Sequence, residues 1–120
     1  MYTITKEFTF DAAHKLLGLP PGHKCSQLHG HTYTVIIELK SKELDIKGFV
    51  VDYNDLKRVK DFIDEMFDHK CLNDNYPFDR LNPTAEHIAG YIYRVFEKIY
   101  PQLSAVTVKE TAKTSARYEE

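Results

Sequence analysis

The stretch Cys25–Lys40, CSQLHGHTYTVIIELK, decides how this 120-residue chain is read. From His31 to Lys40 it is rich in β-branched residues and alternates, with Tyr33, Val35, Ile37 and Leu39 on one face, which predicts a strand. His29 and His31 continue the same phase, about 7 Å apart at Cα, so both imidazoles point to one side. Cys25 stands four residues before the pair as a candidate nucleophile or base. Upstream, Ile4, Phe8 and Phe10 alternate with Thr5, Glu7 and Thr9 in a first predicted strand, Thr3–Ala13, broken only by Lys6. His14 ends that run in phase with Phe8, Phe10 and Ala12. Two antiparallel strands can therefore present His14, His29 and His31 to one point.

Three histidines without a fourth protein ligand form the pattern of a catalytic zinc, which keeps a position open for water or substrate. One histidine in phase with an apolar face is more often a satisfied core residue; three in phase, with a cysteine attached, carry the metal reading. A thiolate also binds zinc well, but the offset of Cys25 and its place in the loop of Pro20, Pro21 and Gly22 make it the less natural ligand. His23, in the loop, and His87, in a first helical turn, are read as non-ligands. Cys25 and Cys71 form no CxxC pair, so both are expected as free thiols, Cys71 inert and half-buried.

Around these strands, Leu56, Val59, Phe62, Ile63, Met66 and Phe67 recur at three and four and predict an amphipathic helix capped by Asp52 or Asn54. Phe49–Asp52 reads as a short extended piece, and Asp68–Pro83 as irregular because Asn73, Asp74, Asn75, Pro77 and Pro83 interrupt it. Thr84 caps a second helix carrying Ile88, Ile92, Val95, Phe96 and Ile99, which Pro101 stops. Val106, Val108 and Glu110 alternate in a third strand, and Thr114–Tyr118 returns as a fourth. The order ββααββ predicts an α+β domain, residues 1–120, with a four-stranded antiparallel sheet and both helices on one face. With 42% hydrophobic residues the chain can build one core, although a chain this short often shares apolar surface with a partner subunit. A net charge of −2 without a Lys/Arg run gives no nucleic-acid footprint, and no stretch approaches the apolar length of a membrane span or signal peptide. A soluble cytoplasmic protein is the expectation.

Five blocks then carry a resemblance across nearly the whole chain: FDAAH at Phe10–His14, CSQLHGH at Cys25–His31, FDHKCLND at Phe67–Asp74, NPTAEH at Asn82–His87 and VKET at Val108–Thr111. The chain resembles the 6-pyruvoyl-tetrahydropterin synthase superfamily and looks closest to its bacterial-type branch, the QueD-type 6-carboxytetrahydropterin synthases of queuosine biosynthesis. The resemblance implies Zn2+ on His14, His29 and His31, and Cys25 as the base that moves a side-chain proton. It further implies Asp68 and His69 in a proton relay with Cys25, Glu110 gripping the pterin, and Thr84 and Glu86 among the substrate-binding residues. Ala85 stands where the family often has threonine or serine, which removes a hydroxyl contact there. The implied fold is the tunnelling fold, whose subunits close their sheets into an oligomeric barrel, usually a homohexamer, with active sites between subunits.

The implied activity is that of a carbon–carbon lyase converting 7,8-dihydroneopterin triphosphate to 6-carboxytetrahydropterin, acetaldehyde and triphosphate. Glu110 has support of its own: a carboxylate in line with buried valines is costly without donors, and a pterin amino group with its ring N–H offers two to one carboxylate. A solvated strand end, or pairing with Lys109 or Arg117, is the plainer account of the same residue. For Asp68–His69 the plainer account is a histidine at a helix C-terminus. Lys24, Lys70, Lys109 and Arg117 are the candidate cations for the triphosphate. Two rival readings stand beside the lyase: the pyruvoyl-forming synthase, and a non-catalytic pterin- or metal-binding module.

Overall fold

A computed structural model describes residues 1–120. Strands β1 (Tyr2–His14) and β2 (His29–Ser41) pair antiparallel along their whole length, from Tyr2 opposite Ser41 to His14 opposite His29. Each strand reaches beyond its predicted bounds, and the extension of β2 back to His29 takes both histidines of the pair into one strand. Helix α1 (Lys57–Met66) and the two-residue β3 (Lys70–Cys71) follow, then helix α2 (Ala85–Phe96) and the hairpin of β4 (Leu103–Thr111) and β5 (Thr114–Glu119).

The sheet order is β3-β1-β2-β4-β5. This corrects the expected four-stranded antiparallel sheet to a five-stranded mixed one, because Lys70–Cys71 pairs parallel with Ala12 and Ala13. The chain reaches that position through His69, whose φ of 59° turns the backbone after α1 and lets its N–H donate to the Asp11 carbonyl at 2.6 Å. Two residues leave no alternation to read, so the segment looked irregular in sequence. Phe49–Asp52 is not a strand. Asp45 draws the preceding turn closed by accepting the N–H groups of Lys47 and Phe49, and Asp52 caps a 3-10 turn, Tyr53–Leu56, that leads into α1.

One face of the sheet holds the core. Phe8 faces Val35, Phe10 faces Tyr33, Val35 faces Val108 and Ile37 faces Val106, and partners across a ladder share a face. These side chains form a single buried cluster with Val59 and Ile63 of α1 and Ile88, Ala89, Ile92 and Phe96 of α2, so both helices cover that face. The rings of Phe10 and Tyr33 stack at 4.7 Å between centroids. The sheet remains open at both sides: β5 pairs only with β4, and from Tyr2 to Phe10 the second edge of β1 has no strand partner. No helix is long and apolar enough to cross a membrane.

Candidate metal centre and surrounding residues

The residues that end β1 and begin β2 face each other across the ladder, so His14, His29 and His31 meet at the rim of the core next to Tyr33. Their ligating nitrogens all lie within 4.8 Å of one another. His14 is 1% exposed, whereas His29 and His31 are half-buried and line the opening. The period-two geometry inferred from the sequence thus delivers the three rings to one place.

Hydrogen bonds to backbone carbonyls select the tautomers. His14 Nδ1–H donates to the Pro83 carbonyl at 2.8 Å, and His29 Nδ1–H donates to the Gln27 carbonyl at 2.7 Å. In each ring this leaves Nε2 as a bare lone pair, and those two atoms stand 3.1 Å apart. His31 Nε2 is buried and has no hydrogen-bond partner. Three unsatisfied nitrogens converging in this way fit a metal ion. A tetrahedral ion held roughly 2.0–2.1 Å from each nitrogen, the range for zinc, separates neighbouring ligand atoms by about 3.3 Å. Burial lowers the pKa of His14, opposed by the Pro83 hydrogen bond and Glu110, and lowers that of His31, opposed by Glu110. Both effects favour the neutral imidazole, the form that ligates. Tyr33 Oη lies 3.1 Å from His14 Nδ1, and burial raises its pKa so that it stays a phenol.

Glu110 reaches the cluster from β4, with Oε2 3.8 Å from His31 Nε2. It also lines an open hollow of about 540 Å³ with Glu86, Thr114, Ser115 and Arg117. Thr84 sits at the start of α2 and its hydroxyl accepts the His87 N–H at 3.2 Å, the cap expected from the sequence. Of the four candidate cations, Arg117 pairs with Glu38 and Glu119, and Lys70 donates to the Glu65 carbonyl. Lys24 and Lys109 form no ion pair.

Cys25 lies in a 3-10 turn, Lys24–Ser26, half-buried and unbridged like Cys71. Its sulfur does not join the histidine cluster. Asp68 and His69 form their own pair, with His69 Nδ1 2.9 Å from Asp68 Oδ2. Asp68 Oδ1 accepts the Asp11 N–H at 2.9 Å, and that bond, followed by the one from His69, holds its carboxyl below the usual range. Asp68 in turn raises the pKa of His69. No hydrogen bond joins either residue to Cys25 within the chain. Sequence reasoning did not reach Asp11, whose side chain accepts from Thr32 Oγ1 at 2.5 Å, or the orienting carbonyls of Gln27 and Pro83. Backbone acceptors leave no trace in residue type, and Asp11 carried a weak signal only as the polar member of FDAAH.

The family model for 6-pyruvoyl tetrahydropterin synthase matches residues 3–120. A 6-carboxy-5,6,7,8-tetrahydropterin synthase of Synechocystis sp. is 37% identical, the alignment covering 98% of this chain and 93% of that one. The protein of the same name from Haemophilus influenzae is 35% identical over 98% of this chain and 79% of its own length. Among solved structures, 6-pyruvoyl tetrahydropterin synthase of Caenorhabditis elegans superposes with a TM-score of 0.86 at 27% identity, over 99% of this chain and 95% of that one. Fold, histidine cluster and sequence agree, and the chain belongs to the 6-pyruvoyl tetrahydropterin synthase family.

Proposed function

We propose that this protein is a zinc-dependent 6-carboxytetrahydropterin synthase, a carbon–carbon lyase. It takes 7,8-dihydroneopterin triphosphate and one water to 6-carboxytetrahydropterin, acetaldehyde and triphosphate, a step in making 7-deazapurines such as queuosine. The observation that carries the reading is the convergence of three histidine ring nitrogens beside a strand-borne carboxylate, in a chain whose 35–37% identical relatives bear that enzyme's name.

His14, His29 and His31 hold the zinc, which supplies Lewis-acid charge for polarising hydroxyls of the substrate side chain. Glu110 accepts the amino and ring N–H donors of the pterin, and its place in the hollow with Glu86 supports this. Thr84 Oγ1 accepts the His87 N–H, which leaves its hydroxyl hydrogen to donate to the substrate. Lys24, Lys70, Lys109 and Arg117 stay the candidate cations for the triphosphate, Lys70 and Arg117 being already engaged within the chain. Cys25 Sγ takes the side-chain proton as thiolate, and His69, held by Asp68 Oδ2, moves it onward.

No hydrogen bond joins Cys25 to the Asp68–His69 pair within one chain, which supports a relay completed between subunits of a homohexamer. The unpaired edges of β1 and β5 support closure of the sheets into a barrel. Incubating the zinc-loaded protein with 7,8-dihydroneopterin triphosphate tests the reading. Acetaldehyde together with 6-carboxytetrahydropterin is expected. A diketo tetrahydropterin without acetaldehyde would move it to the pyruvoyl-forming synthase, and pterin binding without turnover to a binding module.

A further inference from the structure

The loop that carries Cys25 runs from Lys15 to Leu28 between two strands and makes few backbone hydrogen bonds of its own. Its N-terminal arm is held instead by two asparagine side chains. Lys15 N–H donates to Asn73 Oδ1 and the Asn73 Nδ2 group donates to the Lys15 carbonyl, both at 2.9 Å. Two residues on, Leu17 N–H donates to Asn82 Oδ1 and Asn82 Nδ2 donates to the Leu17 carbonyl, both at 2.8 Å. A carboxamide offers one donor and one acceptor in a plane, as a peptide unit does, so the two asparagines act as the missing neighbour strand for Lys15–Leu17. The residue between them turns the other way, and Leu16 N–H donates to the Cys25 carbonyl at 2.8 Å.

We infer that Asn73 and Asn82 are positioning residues for Cys25: they fix Lys15 and Leu17, and through Leu16 they set where the Cys25 turn sits relative to the metal centre. Asn82 belongs to the same short segment whose next carbonyl, Pro83, orients His14, and its own carbonyl accepts from His87 Nδ1 at 2.7 Å. The start of α2 thereby sets both the buried metal ligand and the thiol loop, so their spacing is built into one piece of backbone. This inference rests on the proposal that Cys25 is the base, and it adds two residues that touch neither substrate nor metal.

Asn73→Asp and Asn82→Asp keep the acceptor oxygen and the volume but lose the donor to the loop carbonyl. In the zinc-loaded full chain, kcat is expected to fall about ten- to a hundredfold, the scale of a misplaced reacting group, with KM within about twofold. Alkylation of Cys25 by iodoacetamide, read by peptide mapping with Cys71 as internal reference, is expected to change by about threefold or more as access and surroundings change. Zinc content stays that of wild type, since the bond to His14 is made by backbone. Val59→Ala, a buried α1 change remote from the loop, serves as a control for general destabilisation and leaves kcat and Cys25 alkylation unchanged. In wild-type protein the Lys15 and Leu17 amides exchange slowly in deuterium, as strand amides do, a measurement independent of whether either variant folds. Rapid exchange of both amides, or wild-type alkylation and kcat in both Asn→Asp variants, overturns the inference. Cys25→Ala with full turnover would instead overturn the role of the thiol, and the amide exchange would still report on the clamp.

Discussion

His14 Nε2 and His29 Nε2 face each other at 3.1 Å as two lone pairs, because each ring has committed its Nδ1 hydrogen to a backbone carbonyl. Without a proton or a cation between them that contact is repulsive, so the pair suits a shared metal ion. About one zinc per chain is expected, with most of it lost on changing His14, His29 or His31 to alanine, since three ligands are the fewest such a site uses. Chelation should also lower the Tm, as binding to the folded state alone stabilises it. Metal analysis on folded protein decides; equal zinc in His29→Ala and wild type would remove the central claim.

For the thiol, the expected result separates chemistry from metal binding. Cys25→Ala should retain zinc and fold and lose turnover by roughly a hundredfold or more, the scale of a general acid or base. The sulfur lies outside the histidine cluster, so parallel loss of zinc would make Cys25 a ligand and defeat the assignment.

Glu110→Gln preserves shape and replaces one acceptor oxygen with a donor that opposes a pterin N–H. A charge-assisted contact of this kind contributes roughly 1.5–3 kcal/mol, so affinity for a pterin lacking the triphosphate should fall by about one to two orders of magnitude. Zinc content should not change. Unaltered affinity in a ligand titration would return Glu110 to a strand end that merely neighbours His31.

The Asp68–His69 pair predicts a pH effect of definite sign. The hydrogen bond to Asp68, and then its charge, hold the His69 pKa above the ordinary 6.5. In Asp68→Asn the midpoint for the His69 ring, followed by proton NMR, should fall toward that value. The unfolded chain has the lower pKa here, so the pair's contribution to stability is complete below about pH 6.5 and is lost as pH rises through the folded midpoint. His69 is exposed, so the change in Tm should be small, and an unmoved midpoint would show that Asp68 does not set it.

Much of the fold was legible because long elements repeat their signal. The alternation through Phe8, Phe10, Ala12 and His14 and through His31 to Leu39 needs no tertiary information, and Thr84 caps α2 as its position before an apolar-periodic run suggests. Phe49–Asp52 misled because two valines beside a phenylalanine look extended, while the carboxylates of Asp45 and Asp52 bend the backbone around them. Lys70–Cys71 is too short to show a period. At the centre itself, phase alone brought three histidines to one side, whereas the tautomers depend on the carbonyls of Gln27 and Pro83, one of them 69 positions from the ring it orients.

The sequence by itself determined which residue types are in phase: three imidazoles on one sheet face, a carboxylate two places beyond Val108, and a thiol in a proline-rich loop. Those are properties of local periodicity, set by the backbone of each strand. Only the tertiary structure decided that His14 Nε2 meets His29 Nε2, that Glu110 arrives beside His31 from a strand about eighty residues further along, and that Asn73 and Asn82 stand in for a strand beside Lys15 and Leu17. Those contacts depend on how α2 and β4 pack against the β1–β2 pair, and packing is chosen by burial of the whole core rather than by any residue in the site.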